Sequence, residues 1–261
     1  MAHTLSLCNV PPWILGSREF NELPEPLELQ GVARGSAWLF RELDKVADRT
    51  ARARFFQDYM CVKFQLHEEA EHTQRAQRSL RNDYLRFLRG WGVDSSSPEG
   101  AVLKAWVESR FGLEPSYHRG ILRTGDEGAW LRYAADRMRG SARSNAIYSQ
   151  FDLLYTFCQY ELRRQFTDQR WWNLFRGTND SAEYATREVL DRKRRAVRLN
   201  SVGSFTRHRE RAWEFGSTVW SIRVPLCKVV YFESLATESV LRGEGEVIAL
   251  GGEYLVEEVL Y

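Results

Sequence analysis

Three short groups in the last third of the chain carry residue types that could do chemistry together. Arg176 stands in Asn173-Leu-Phe-Arg-Gly177, where an apolar pair leads to an arginine at the end of an extended run. Gly177 after it permits close approach of backbone to a ligand. A guanidinium suits a diphosphate, because its planar donors bind two oxygens at once. Ser204-Phe205-Thr206 places two hydroxyls at i and i+2, on one side of an extended chain, with Phe205 on the other. Glu244-Gly245-Glu246 places two carboxylates at the same spacing where a strand begins, with Gly245 leaving room between them. Taken singly, each group also has a structural reading: Arg176 and the hydroxyls as framework residues, the carboxylates as a solvated edge.

Competing motifs fail on geometry. His67-Glu-Glu-Ala-Glu-His72 has its histidines five apart, about 140° around a helix, whereas a zinc site needs them four apart on one face. Gly243-Glu-Gly245-Glu-Val-Ile248 lacks the third glycine of a dinucleotide fingerprint and precedes a strand rather than a helix, and no Walker A sequence occurs. His3, His118 and His208 are scattered and read as surface or hydrogen-bonding residues. No metal site is expected.

The elements that must position these groups follow from periodicity. Phe55, Tyr59 and Val62, then Leu80, Tyr84, Leu88 and Trp91, are spaced near three and four, as in packing helices. Ser97 as cap and Pro98 at the first position open a helix bearing Val102, Trp106 and Phe111, which Gly112 closes. Ile147, Phe151, Leu154, Cys158 and Leu162 keep one apolar stripe over about four turns. Past residue 170 the period becomes two: Thr218, Trp220, Ile222 and Val224 alternate with polar residues, and Pro225 should end that strand. Val229 to Phe232 reads as another strand. Val247 to Leu250 and Tyr254 to Val259 flank Gly251-Gly252, which predicts a hairpin. The expected fold is therefore α+β, with a mainly helical region over 1–165 and a mainly β core over 166–261 forming one compact unit.

Composition bounds the function. The 261 residues hold 43% hydrophobic and 13% aromatic residues, enough for a sizeable core. No apolar run approaches the ~20 residues that span a bilayer, and the N-terminus lacks a signal-peptide pattern, so a cytoplasmic protein is expected. Cys8, Cys61, Cys158 and Cys227 are too few and too dispersed for a disulfide scaffold. With 37 Lys+Arg against 35 Asp+Glu, the chain lacks the overall basic excess of a nucleic-acid binder. The charge is unevenly spread: Arg187 to Arg211 holds nine bases and three acids, and Glu233 to Tyr261 seven acids and one base. So local a basic strip fits either a small anionic partner or a solvated face.

In the order Arg, Ser-x-Thr, Glu-x-Glu, the three groups resemble the arginine-directed mono-ADP-ribosyltransferases, whose R, S-T-S and E-x-E signature sits on a split β-sandwich core preceded by helices. A closer resemblance covers nearly the whole chain: Asn9-Val-Pro-Pro-Trp13, Ser17-Arg-Glu-Phe-Asn21, Pro26-Leu-Glu-Leu-Gln-Gly31, Tyr84-Leu-Arg-Phe-Leu-Arg-Gly-Trp91, Trp106-Val-Glu-Ser-Arg-Phe-Gly-Leu113 and Arg209-Glu-Arg-Ala-Trp-Glu-Phe-Gly216 look like the dinitrogenase reductase ADP-ribosyltransferases. The resemblance implies NAD as co-substrate and an arginine of the homodimeric nitrogenase iron protein as acceptor. It also implies regulation by a PII-type signalling protein. It implies NAD contacts at Arg176, Gly177 and the Ser204-Phe205-Thr206 segment, with Ser204 also positioning the catalytic glutamate. Glu246 would then stabilise the ribose cation and Glu244 would engage the acceptor. Phe205 and Thr206 depart from S-T-S, which leaves the role of Thr206 less defined than that of Ser204.

The implied reaction breaks the bond between nicotinamide and the anomeric carbon, through an oxocarbenium ion like that of glycoside hydrolysis. One carboxylate stabilises that cation, and the other orients a protonated guanidinium and helps remove its proton. Two other classes remain open from sequence: a non-enzymatic NAD-sensing or PII-docking regulator on the same fold, and a glycoside hydrolase using the carboxylate pair.

Overall fold

The computed structural model of the chain describes residues 6–66, 83–122, 125–142, 146–179, 184–236 and 245–259. Helices fill the first part: α1 (Pro12–Leu15), α2 (Arg18–Glu22), α3 (Val32–Gly35), α4 (Ala37–Asp44), α5 (Arg49–Phe64), α6 (Tyr84–Val93), α7 (Pro98–Phe111), α8 (Glu127–Ser141) and α9 (Ile147–Gln165). Asp48, Asp83, Ser97 and Asp126 cap the starts of α5 to α8 by accepting a backbone N–H of the first turn. Gly112, in the left-handed region at φ 68°, closes α7 as its sequence predicts. None of the described helices is long and apolar enough to cross a membrane.

The stripe on α9 is buried as expected, but α5 presents a different face from the one its spacing suggests. Phe56, Met60 and Phe64 are its buried apolar residues, whereas Val62 is 79% exposed. Phe55 and Tyr59 are half-buried against the exposed Trp38 of α4. The reason is Arg52, which points inward and forms a two-pronged pair with Glu161 of α9, Nε to Oε1 at 2.5 Å and Nη2 to Oε2 at 2.8 Å. A buried arginine on the inner face disguises that face as polar in any hydropathy pattern. Leu80 and the His67–His72 segment lie outside the described residues.

The strands are β1 (Trp171–Thr178), β2 (Ala185–Val189), β3 (Arg194–Thr206), β4 (Thr218–Pro225), β5 (Val229–Phe232) and β6 (Glu246–Val259), with a one-turn helix α10 (Arg209–Ala212) after β3. The fold is α+β, and all the strand pairings are antiparallel. β4 and β5 fall where the alternation and Pro225 place them. The hairpin predicted at Gly251-Gly252 does not form, because β6 runs through both glycines as one strand.

One edge of β6 pairs with β3 along almost its whole length. The other edge is divided between β5, opposite Val247 to Ala249, and β4, opposite Val256 to Val259. The glycines sit where β6 passes from one partner to the next, beside an irregularity in β3 between Leu199 and Val202. A side chain on Gly251 would come within 1.6 Å of the Asn200 carbonyl oxygen, and Gly252 has φ 115°. Close backbone approach, not chain reversal, is what requires glycine here. The stretch of β6 edge between β5 and β4 is met by the N-terminal segment. Glu253 N donates to Gly16 O at 2.8 Å, Asn21 Nδ2 donates to Glu253 O at 2.6 Å, and buried Lys228 reaches Gly251 O at 3.2 Å.

Helices and sheet share one continuous apolar cluster that runs from Leu15 and Phe56 through Phe151 to Ile222 and Val256. Gln159 of α9 donates to the carbonyls of Leu226 and Val229, and Tyr155 to that of Cys227, which fastens α9 along β5.

Gly251→Ala should lower stability by about 3 kcal/mol through overpacking against Asn200, read as a lower urea midpoint with unchanged slope. A loss below about 1 kcal/mol would mean that β6 can bend elsewhere.

Candidate active site

The strand register brings residues of all three chemical groups to one place. In the β3–β6 ladder Thr206 lies opposite Glu246 and Ser204 opposite Ile248, so Ser204 and Glu246 are diagonal neighbours on one face. β1 meets β3 at Phe175 opposite Thr206, which sets Arg176 beside them. Together they border a cavity of about 470 Å³ between the strand ends, the last turn of α6 and the segment after α10.

Within it, Ser204 Oγ donates to Glu246 Oε1 at 3.0 Å and accepts from the indole Nε1 of Trp91 at 2.8 Å. Arg176 Nη1 donates to the Ser204 carbonyl at 2.9 Å, and its guanidinium carbon lies 5.9 Å from the centre of the Phe205 ring. Phe205 is buried and also borders the cavity. Thr206 is committed to a turn: its Oγ1 accepts from His208 N at 3.1 Å as the chain leaves β3. Gly177 lines the cavity, and a side chain there would meet the Ala212 carbonyl oxygen at 2.0 Å. The close neighbour that Gly177 admits is therefore the backbone from the end of α10 to Gly216. Glu244 lies outside the described residues.

Burial pushes the Glu246 carboxyl above the usual carboxylate range, the Ser204 hydroxyl pulls it down, and the negative charge of Glu233 pushes it up. Glu233 also accepts a hydrogen bond from Gly245 N, which pins the chain at the entry to β6. Trp91, Glu233 and Phe215 are absent from the sequence-based site. Trp91 is indistinguishable from the other aromatic residues of its helical stripe. Phe215, which is 61% exposed yet borders the cavity, lies in the Arg209–Gly216 run that carries part of the resemblance.

Among the described residues, parts of the basic strip and of the acidic tail lie on neighbouring strands. Arg195 pairs with Glu258 at 2.9 Å and Arg187 with Glu253 at 3.3 Å, while Arg194 pairs with Asp191 at 2.7 Å. These three bases form cross-strand and local pairs at the surface, as a solvated face would, while Arg211 of the same strip borders the cavity.

The opposing influences on Glu246 can be separated by substitution. Ser204→Ala removes a donor to the ionised form and should raise the Glu246 titration midpoint. Glu233→Gln removes a negative charge while keeping an acceptor for Gly245 N, and should lower it. Carboxyl-resolved NMR titration checks both directions, and shifts of the same sign in the two variants would contradict the arrangement.

A hydroxyl-held carboxylate can stabilise a cationic sugar centre and an arginine on the same cavity can bind phosphate oxygens, and comparison with known proteins agrees with that chemistry. The family profile described as dinitrogenase reductase ADP-ribosyltransferase matches residues 5–258. The NAD(+)–dinitrogen-reductase ADP-D-ribosyltransferase of Rhodospirillum rubrum is 37% identical over 262 residues, covering 98% of this chain and 95% of that protein. No solved structure matches the chain. A profile match over almost every residue, together with end-to-end identity at this level, places the chain in the dinitrogenase reductase ADP-ribosyltransferase family.

Proposed function

We propose that this chain transfers ADP-ribose from NAD to an arginine of dinitrogenase reductase, the iron protein of nitrogenase, and thereby inactivates it. The observation that carries the reading is the Ser204–Glu246 pair bordering one cavity beside Arg176. Arg176 binds the phosphates and adjoining ribose of NAD, with the backbone of Gly177 on the nicotinamide amide. Ser204 holds Glu246, Phe205 supports the Arg176 guanidinium from below, and Thr206 sets the turn that carries the NAD-facing segment. As the nicotinamide bond breaks, positive charge grows on the ribose, and Glu246 stabilises it. The partial burial that opposes ionisation of Glu246 also reduces the solvent screening of its charge, so a cation that forms beside it in the transition state gains more than the neutral ground state does. Glu244 orients the incoming guanidinium and assists its deprotonation.

The divided edge of β6, shared between β5 and β4, supports a split β-sandwich core. The apolar cluster common to helices and strands supports reading 1–165 and 166–261 as one compact unit. A PII-type signalling protein as regulatory partner and a cytoplasmic location complete the proposal. The regulator reading without catalysis finds no support in a site whose carboxylate is held by a donor.

Incubation with labelled NAD and dinitrogenase reductase, followed by mapping of the modified residue, tests the function. Label on an arginine is expected, and absence of label on the iron protein would refute it. Glu246→Gln should lower kcat by ~100-fold or more with little change in NAD affinity. A folded variant with near-normal transfer would remove Glu246 from its role. Arg176→Lys should weaken NAD binding by about tenfold although the charge is kept, because the planar fork is lost. Unchanged affinity by calorimetry would make Arg176 structural. Glu244→Gln should abolish transfer yet leave slow NAD hydrolysis, since water needs less orientation than a guanidinium, whereas Glu246→Gln should lose both. Equal loss in the two variants would favour a carboxylate pair acting as a unit.

A further inference from the structure

We propose that Trp91 is a positioning residue of the transferase: its indole N–H fixes the direction in which the Ser204 hydroxyl points its proton, and so holds Glu246 ionised and in place. The proposal rests on the reading of Glu246 as the catalytic carboxylate. A serine hydroxyl has one proton to donate and lone pairs to accept with, while an indole nitrogen can only donate. At Ser204 Oγ the two neighbours are Trp91 Nε1 at 2.8 Å and Glu246 Oε1 at 3.0 Å. The indole therefore takes a lone pair, and the one proton of the hydroxyl is left for the carboxylate. The relay runs in one direction, from Trp91 to Ser204 to Glu246, and each link polarises the next. Without the indole N–H the hydroxyl can turn its proton away from the carboxylate, which then loses the one contact that lowers its pKa.

The indole is aimed by rigid packing. Trp91 is 3% exposed in the last turn of α6. That helix is anchored by the edge-on contact of Phe87 with Phe151 of α9, by Gln150 accepting from Tyr84 N, and by the Arg86–Glu99 pair to α7. Lys104 of α7 places its ammonium 5.9 Å from the centre of the indole. The titratable and charged groups around Glu246 are Glu233 and Tyr231, with Arg176 and Arg211 on the same cavity and the His208 ring against Gly245. None of these replaces the donor that Ser204 supplies. A phenylalanine would fill much of the same space, and what it lacks is the N–H.

Two replacements test the proposal. Trp91→Phe drops the donor, and benzothienylalanine at position 91 keeps the bicyclic shape while replacing N–H by sulfur, which separates the hydrogen bond from packing. Nicotinamide release by the full chain is followed against pH and NAD concentration with dinitrogenase reductase present. With either replacement kcat should fall about tenfold, KM for NAD should change by less than about twofold, and the acid limb of kcat should move to higher pH. In a Ser204→Ala background the same replacements should change nothing further, because the relay is already cut. Normal kcat with an unshifted acid limb in the benzothienylalanine protein, or losses that add to those of Ser204→Ala, would overturn the proposal. Glu246→Gln run alongside distinguishes the two failures. If it stays active, the reading of Glu246 falls and this proposal with it, whereas an inactive Glu246→Gln beside a normal benzothienylalanine protein removes Trp91 alone.

Discussion

A half-buried carboxylate at the border of a cavity, held by a single hydroxyl, is the constraint on which the rest of the structure depends. Burial drives Glu246 toward the neutral form, and one hydroxyl contact works against burial and the charge of Glu233. That contact exists only while Ser204 and Glu246 are diagonal neighbours, which the β3–β6 register decides. A slip of one residue would turn Ser204 to the opposite face of the sheet. The long ladder between β3 and β6, with its fixed irregularity beside Gly251, is thus a register lock for a single hydrogen bond at its end.

The helical region shares in that constraint. α9 is bonded through Gln159 and Tyr155 to the carbonyls around β5, and β5 lies against the first residues of β6. α6 reaches the same strand end from another side through Trp91. The elements that sequence order separates into a helical part and a β part therefore meet at the entry to β6. The buried Arg52–Glu161 pair ties α5 into the same framework. Removing either partner would leave a charge without compensation in the interior, a larger loss than the pair itself contributes.

Much of this was legible in the residues. Strands β4 and β5 and helices α7 and α9 lie where local alternation, caps and a terminating proline put them, because those signals act within a few residues. Two features were misread for a common reason. Gly251-Gly252 between alternating runs looks the same locally whether the chain reverses or one strand changes partners, and only the distant Asn200 backbone distinguishes them. The inner face of α5 looks polar because Arg52 is satisfied by a residue far along the chain, Glu161. The site divides in the same way. A three-part signature singles out Arg176, Ser204 and Glu246, which border one cavity, whereas Trp91 and Glu233 enter through contacts that no spacing announces.

The N-terminal segment has a task that its short helices do not suggest. Between the portions paired to β5 and β4, the outer edge of β6 would present unpaired backbone groups, and Gly16 and Asn21 occupy that gap by bonding both the N–H and the carbonyl of Glu253. Trp171 donates to the Asn21 carbonyl and holds the segment down. An open strand edge is a template for another chain. The α1–α2 segment therefore covers a stretch of strand edge that would otherwise be open to pairing, and loosening it would expose that edge with Arg176, Ser204 and Glu246 still in their places.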